Sequence, residues 1–391
     1  MIYLDSAATT FQKPAAVRRA VLRAMQTMSS PGRGGYAAAR AAEEMLFRCR
    51  SAAAELFSVP SGEQIVFTTN ATHALNIAIR SLVGERKRVA VSGYEHNAVT
   101  RMLHALDAEV IVAAAPLFCM QEAVDAFARA IELGAQTVIC TQVSNVFGNL
   151  LPIEEIAQLC QRADVPLIVD ASQSAGVLPL DFAALGAAFA AMPGHKGLYG
   201  PQGTGLLLCA HDALPLLYGG TGSESLRQEM PEFLPDRLEA GTHNVPGIAG
   251  LEAGIGFVRA QRPERILLHE RTLLDLACKG LQSIPRVCVF RAPEPRLQAG
   301  VLSFTVEGMA PEEVAEKMAQ RGIALRALRP PHGGDASGRH GAAERVGLQP
   351  RQRDRPDACG AARSTRGSLK KLHFTENSWL SRCILQAFIL E

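Results

Sequence analysis

The chain has 391 residues, 48% of them hydrophobic, and a formal net charge of +2. That length and apolar content support a sizeable core and two domains, while the small charge gives no global basic field for nucleic acid. The nine cysteines form no CxxC pair, which excludes a zinc ribbon or a thioredoxin-type redox motif, and no run of about 18 apolar residues reads as a membrane span.

The opening residues, Met1 to Asp5, show no basic stretch followed by an apolar run, so no signal peptide is expected and the chain reads as cytoplasmic. Two amphipathic helices are expected at Ala15 to Met28 and Ala37 to Val59. From there short apolar runs alternate with helical patterns. Strands are expected at Ile65–Thr68, Arg88–Ser92, Glu109–Ala113, Thr137–Thr141, Leu167–Asp170 and Ala187–Met192. Helices fall between them at Ala71–Leu82, Asn97–Leu106, Gln121–Leu133 and Ile153–Arg162. This rhythm predicts an α/β fold with a mostly parallel sheet covered on both faces, because its strands are continuous apolar runs. After about Gly250 the pattern changes: helices at Leu251–Arg259, Arg262–Ile284 and Pro311–Arg321 and strands at Val287–Phe290 and Val301–Val306 predict a smaller α+β domain. The expected division is residues 1–250, 251–327 and an unmatched, irregular tail over 328–391. Between Arg326 and Ser368 there is no Ile, Met, Phe, Tyr or Trp, and such a stretch cannot bury enough apolar surface to offset its ordering entropy.

Three segments carry chemistry. Gly194-His195-Lys196-Gly197-Leu198-Tyr199-Gly200 sets one lysine in a glycine-rich loop between apolar strands. Glycine allows a tight turn and close approach of a bulky group, and a desolvated lysine there becomes a nucleophile. The bland alternative is an exposed surface lysine. Asp170 ends an apolar strand, where parallel sheets place their ligand crevice, and reads equally as a helix N-cap. Thr68-Thr69-Asn70-Ala71-Thr72 opens a helix whose free N–H groups suit a phosphate, or it is a plain cap. His96 could stack on a flat ring, and Asn145 follows a strand end.

With the opening Tyr3-Leu4-Asp5-Ser6-Ala7-Ala8-Thr9-Thr10 and Glu239-Ala240-Gly241-Thr242, these segments resemble the class V aminotransferase and cysteine desulfurase family over about residues 2–325. The resemblance implies fold type I, pyridoxal 5'-phosphate as cofactor, a small amino acid such as cysteine as substrate, a homodimer and, for desulfurases, a sulfur-acceptor protein. It implies Lys196 as the Schiff-base lysine, Asp170 on the pyridine nitrogen, Gln173 on the ring hydroxyl, His96 stacked on the ring and Asn145 beside it. Ala71, Thr72 and His195 would hold the phosphate, joined by Thr221 from the partner subunit. Many relatives carry a hydroxyl two residues before the motif histidine, where this chain has Pro193.

The resemblance breaks near Ala327. Desulfurases carry a loop cysteine in a pattern like Arg-x-Gly-x-His-Cys-Ala, but Arg326-Ala327-Leu328-Arg329-Pro330-Pro331-His332-Gly333 holds none, and Cys359 sits in unmatched text. The arginine that relatives use for the substrate carboxylate has no match either. A reading-frame shift near Ala327 accounts for the break: suitable codons for Arg329 to His332, read one nucleotide later, give Gly-Leu-His in the family's expected order. The shifted text still supplies no cysteine. The expected function is therefore a desulfurase-like enzyme lacking its usual thiol. The alternatives are another class V activity, such as a lyase or aminotransferase, or an inactive cofactor-binding relative.

Overall fold

The computed structural model describes residues 1–32, 34–84, 88–224 and 226–328, together with the backbone of Gln386–Ile389. The chain begins with a short strand β1 (Ile2–Tyr3) and two helices, α1 (Ala15–Thr27) and α2 (Ala37–Phe57). Alternation follows: β2 (Ile65–Thr68), α3 (Ala71–Val83), β3 (Arg88–Ser92), α4 (Asn97–Ala105), β4 (Glu109–Ala113), α5 (Met120–Glu132), β5 (Thr137–Thr141), α6 (Ile153–Arg162), β6 (Leu167–Asp170), α7 (Phe182–Leu185), β7 (Phe189–Pro193) and β8 (Gly205–Cys209). Strands β2 to β8 form one seven-stranded sheet in the order β2-β8-β7-β6-β5-β3-β4. All neighbours are parallel except β8, which runs against both β7 and β2. The expected α/β class and mostly parallel sheet are observed. Every residue of β5, β6, β7 and β8 is buried, which is why these strands read as unbroken apolar runs.

The order places a topological switch point between β3 and β5. From β3 the chain grows outward to β4, then returns to β5 on the other side and continues through β6 and β7. In open parallel sheets the ligand crevice lies beyond the strand carboxyl ends at such a point. Those ends are Ser92, Thr141, Asp170 and Pro193, joined by Thr68 because β2 runs the same way.

The second half begins with α8 (Val245–Gln261) and α9 (Pro263–Gln282), followed by β9 (Val287–Phe290), β10 (Val301–Val306), α10 (Pro311–Gln320), β11 (Ile323–Ala324) and β12 (Arg326–Ala327). Helix α8 starts earlier than the sequence pattern indicates. Asn244 caps it by accepting the Gly247 N–H at 3.0 Å, and it passes through position 250 while packing on α1 and α2. The expected irregular tail lies outside the described residues, apart from Leu328 and the backbone of β13 (Gln386–Ile389). That strand lies parallel between β10 and β12, so these four residues are extended rather than irregular. Strand β1 pairs with β11, and Asp5 pairs with Arg326 through two bonds of 3.0 and 3.1 Å. The N-terminal segment thereby ties the two halves of the chain together.

The lysine loop packs directly against the turn after β6. Gly176 has φ +81°, and a Cβ there would collide with the Gly197 carbonyl oxygen. Gly176→Ala combines left-handed strain with a backbone clash beside Lys196, and should cost on the order of 3 kcal/mol. Denaturant unfolding checks this; an unchanged midpoint contradicts it.

Candidate active site

A cleft of ≈ 310 Å³ opens at the carboxyl edge of the sheet. That volume falls at the lower end of the range for small-molecule sites, about 300–1,000 Å³. Eight of the nine sequence-predicted residues line it. Ala71 and Thr72 follow β2, His96 follows β3 and Asn145 follows β5. Asp170 closes β6 with Gln173 just beyond, and His195 and Lys196 follow β7. Thr221 is elsewhere, its hydroxyl paired with Ser223 Oγ at 3.1 Å. Pro193 also lines the cleft and contributes a ring rather than a hydroxyl.

Each group is held by local structure. Asn70 caps α3 by accepting the His73 N–H at 2.9 Å. The first-turn N–H groups of a helix have no partner within it, and Ala71 and Thr72, in the first turn of α3, line the cleft. His96 caps α4, its Nδ1 accepting the Ala98 N–H at 3.0 Å. Asp170 is buried, and its Oδ1 accepts the Ser172 N–H at 2.9 Å in a local turn rather than a helix cap. Gln173 donates to the Ala7 carbonyl at 3.2 Å.

Lys196 is not a surface lysine. Burial pushes its ammonium below the ordinary range, with Arg326 adding to the effect and Asp170 opposing it. Burial, with Lys196 and Lys13 nearby, lowers His195 to about 4, so its ring is neutral at physiological pH. Its Nδ1 is buried without a hydrogen-bond partner. Burial also lowers His96, while Asp170 pulls the other way.

Sequence reasoning did not single out three supporting groups. Lys13 donates to the His195 carbonyl at 2.7 Å and to Thr10 Oγ, and burial brings it down to about 8. Thr10 Oγ also donates to the carbonyls of His195 and Lys196 at 3.0 and 3.3 Å, so the lysine-loop backbone is clamped from the N-terminal segment. Arg326 brings a guanidinium to the cleft wall. Glu95 bridges the crevice between β3 and β5, its Oε1 accepting from Ser92 Oγ at 2.6 Å and from the Thr141 N–H at 2.8 Å. The residue as a whole is partly exposed, but its Oε2 is buried and unpartnered. Burial, reinforced by Asp170, pushes the Glu95 carboxyl up to about 8. Glu239 lies outside the cleft. It binds Arg50 at 2.9 and 2.6 Å, His243 at 2.6 Å and the Phe67 N–H at 2.5 Å, pinning β2 to α2. Burial opposes its charge, but His243 and Arg50 hold it below the usual range.

Residues 2–349 match the family described as aminotransferase class-V. The chain belongs to that family, and its α/β architecture is the fold type I of pyridoxal-phosphate enzymes. A probable cysteine desulfurase of Methanothermobacter thermautotrophicus is 30% identical over 342 residues, covering 83% of both chains. A probable cysteine desulfurase of Mycolicibacterium paratuberculosis is 30% identical over 343 residues, which are 84% of this chain and 49% of that protein, so the chain spans about half its length. The apo structure of a cysteine desulfurase from Thermococcus onnurineus NA1 matches with a TM-score of 0.76 at 27% identity, over 83% of this chain and 84% of the other. The expected family and fold class are both borne out.

The Glu95 carboxyl gives a pH test. Its folded pKa is raised from 4.5 to about 8, so the stability it contributes is fully present below 4.5 and is lost as pH rises through 8. Between those values the wild type should lose up to about 1.4 kcal/mol per pH unit relative to Glu95→Gln. Denaturant unfolding of both proteins from pH 5 to 9 checks this. Parallel stability curves would show that Glu95 is ionised throughout.

Proposed function

We propose that the chain binds pyridoxal 5'-phosphate in this cleft and acts on cysteine or a related small amino acid, as a cytoplasmic homodimer. The observation that supports it most is the convergence of eight residues from five strand ends, with a partly buried lysine whose ammonium is shifted downward and a buried carboxylate among them. The residues fit the cofactor. The unpartnered His195 Nδ1 and the N–H groups of Ala71 and Thr72 suit a phosphate. Asp170 suits a protonated pyridine nitrogen, and Gln173 and Asn145 suit the ring hydroxyl. His96 offers a flat face for stacking, and Lys196 an amine for covalent attachment. Bound there, pyridoxal phosphate supplies an electron sink.

The chain's own groups do the rest. Lys196, whose ammonium is held below its ordinary range by burial, can take a proton from the substrate and return it. Arg326, held by its ion pair with Asp5, keeps a guanidinium by the cleft that suits an amino acid's carboxylate. Thr221, outside the cleft, lies in a surface loop near the exposed Leu217 and Tyr218, a fitting place to reach a partner subunit.

Sulfur transfer needs a thiolate that can reach the substrate. None of the described cysteines lines the cleft. Burial pushes Cys160 up to about 12 and raises Cys49, Cys140 and Cys209 as well. Cys359 lies outside the described residues. This favours a second reading, a class V lyase or aminotransferase activity that needs no loop thiol and no sulfur-acceptor protein.

Two measurements on one preparation test the proposal. Borohydride reduction of protein incubated with pyridoxal phosphate, followed by peptide mapping, should place the pyridoxyl group on Lys196; label on another lysine rejects the assignment. Sulfide release from cysteine with a reductant present should be small compared with an ordinary desulfurase. Turnover matching one, and abolished by alkylation, would show that another cysteine performs the transfer.

A further inference from the structure

Arg326 donates from Nε to Asp5 Oδ1 at 3.0 Å and from Nη2 to Asp5 Oδ2 at 3.1 Å. This side-on pairing occupies one edge of the guanidinium, which carries five N–H donors in a rigid plane. Nη1, at the other edge, makes no hydrogen bond to any of the described residues. The backbone that carries Asp5 is itself fixed. The Leu4 N–H bonds the Ala324 carbonyl at 3.0 Å, and Tyr3 Oη donates to the carbonyls of Asp5 and Thr9 at 3.0 and 2.9 Å. Ala7 and Ala8, just beyond Asp5, line the cleft with Arg326, Asn145 and Lys196. The side chains of Arg326 and Asp5 are 44% and 20% exposed, and so open an ion pair contributes little to folding. What it does supply is orientation, because it holds a long, flexible side chain in one place beside the cleft.

We propose that Asp5 is a positioning residue for carboxylate binding: it grips Arg326 at the Nε–Nη2 edge so that the Nη1–Nη2 edge receives the carboxylate of a small molecule in the cleft. A guanidinium can take two carboxylates at once, one on each edge. Asp5 has two opposing effects on the second one. Its charge repels the incoming carboxylate, but water at this exposed pair screens the repulsion. Its two bonds also freeze the arginine before the ligand arrives, so the ordering of that side chain no longer weighs against binding. The second effect is the larger here. The proposal deepens the reading of Arg326 given above and rests on it, but it does not require the cofactor.

The test therefore uses the full-length chain without cofactor, and propionate as the carboxylate. Labelling of Arg326 by phenylglyoxal is followed by peptide mass spectrometry as propionate is raised. In the wild type propionate should slow the labelling, while propionamide, uncharged and of similar size, should not. Asp5→Asn keeps the shape of the side chain but removes its charge and one of its two bonds. The propionate needed for half-protection should then rise about fivefold, with the melting temperature little changed. An unchanged half-protection would show that Asp5 merely ties the two halves of the chain together, and a lower one that it competes for Arg326; either overturns the proposal. If Asp5→Asn does not fold, a crystal structure of the wild type grown with propionate decides. A carboxylate on the Nη1–Nη2 edge with Asp5 still on the other supports the proposal; propionate absent from Arg326, or in the place of Asp5, overturns it. Wild-type labelling that propionate does not slow would remove Arg326 from carboxylate binding and overturn the proposal as well. Failure of the protein to gain visible absorbance with pyridoxal phosphate would count against the proposed cofactor and not against this site.

Discussion

Lys196 sits among packed backbone and still needs a free amine, and the surrounding structure meets both demands. Burial makes the amine readily deprotonated, while Asp170 keeps a counter-charge near it. The loop that carries it cannot move freely. Thr10 and Lys13 bind the His195 and Lys196 carbonyls from the N-terminal segment, and Gly176 lets the turn after β6 press against Gly197. The same N-terminal segment is paired to the far end of the described chain through β1–β11 and the Asp5–Arg326 ion pair. The lysine loop is thus held by residues that are its neighbours only in the folded protein.

The carboxyl groups around this lysine differ in kind. Asp170 lies at the cleft, where a cationic ring nitrogen can face it. Glu95 and Glu270 are pushed up by burial and act at neutral pH as hydrogen-bonding groups rather than charges. The neutral acids serve instead as hydrogen-bonding groups, Glu95 between two strand ends and Glu270 against the Gly300 N–H. Glu239 takes a third role, an ionised group satisfied by Arg50, His243 and a backbone N–H, whose effect is to fix β2 and hence the start of α3.

Much of this was legible in the sequence, for a physical reason. A parallel sheet covered on both faces writes its strands as apolar runs, and the polar residues that interrupt the pattern at strand ends are those the crevice exposes. Asp170, Lys196, Ala71–Thr72, His96 and Asn145 were found in that way, and the family's motifs added Gln173 and His195. The early start of α8 was not legible, because Gly247 and Gly250 argue against a helix there. The structure explains Gly250 by close packing: a Cβ on it would approach Pro201 and Val21 within 2.6 and 2.7 Å, and within the expected helix one on Gly254 would strike the Leu198 carbonyl. Lys13, Glu95, Glu270 and Arg326 were also invisible. Their significance comes from long-range burial and pairing, such as a contact spanning 321 positions for Arg326, and no local pattern records that. The antiparallel β8 falls in the same class, since an apolar run does not state its direction.

The proposed function depends on one arrangement: a cofactor held between Asp170, Lys196 and the start of α3. A crystal structure of the chain grown with pyridoxal phosphate tests it most directly. The predicted result is density continuous with Lys196 Nζ, the ring nitrogen against Asp170, and the phosphate at Ala71, Thr72 and His195. A cofactor lying elsewhere, unattached to Lys196, or with its phosphate away from the start of α3 would contradict it.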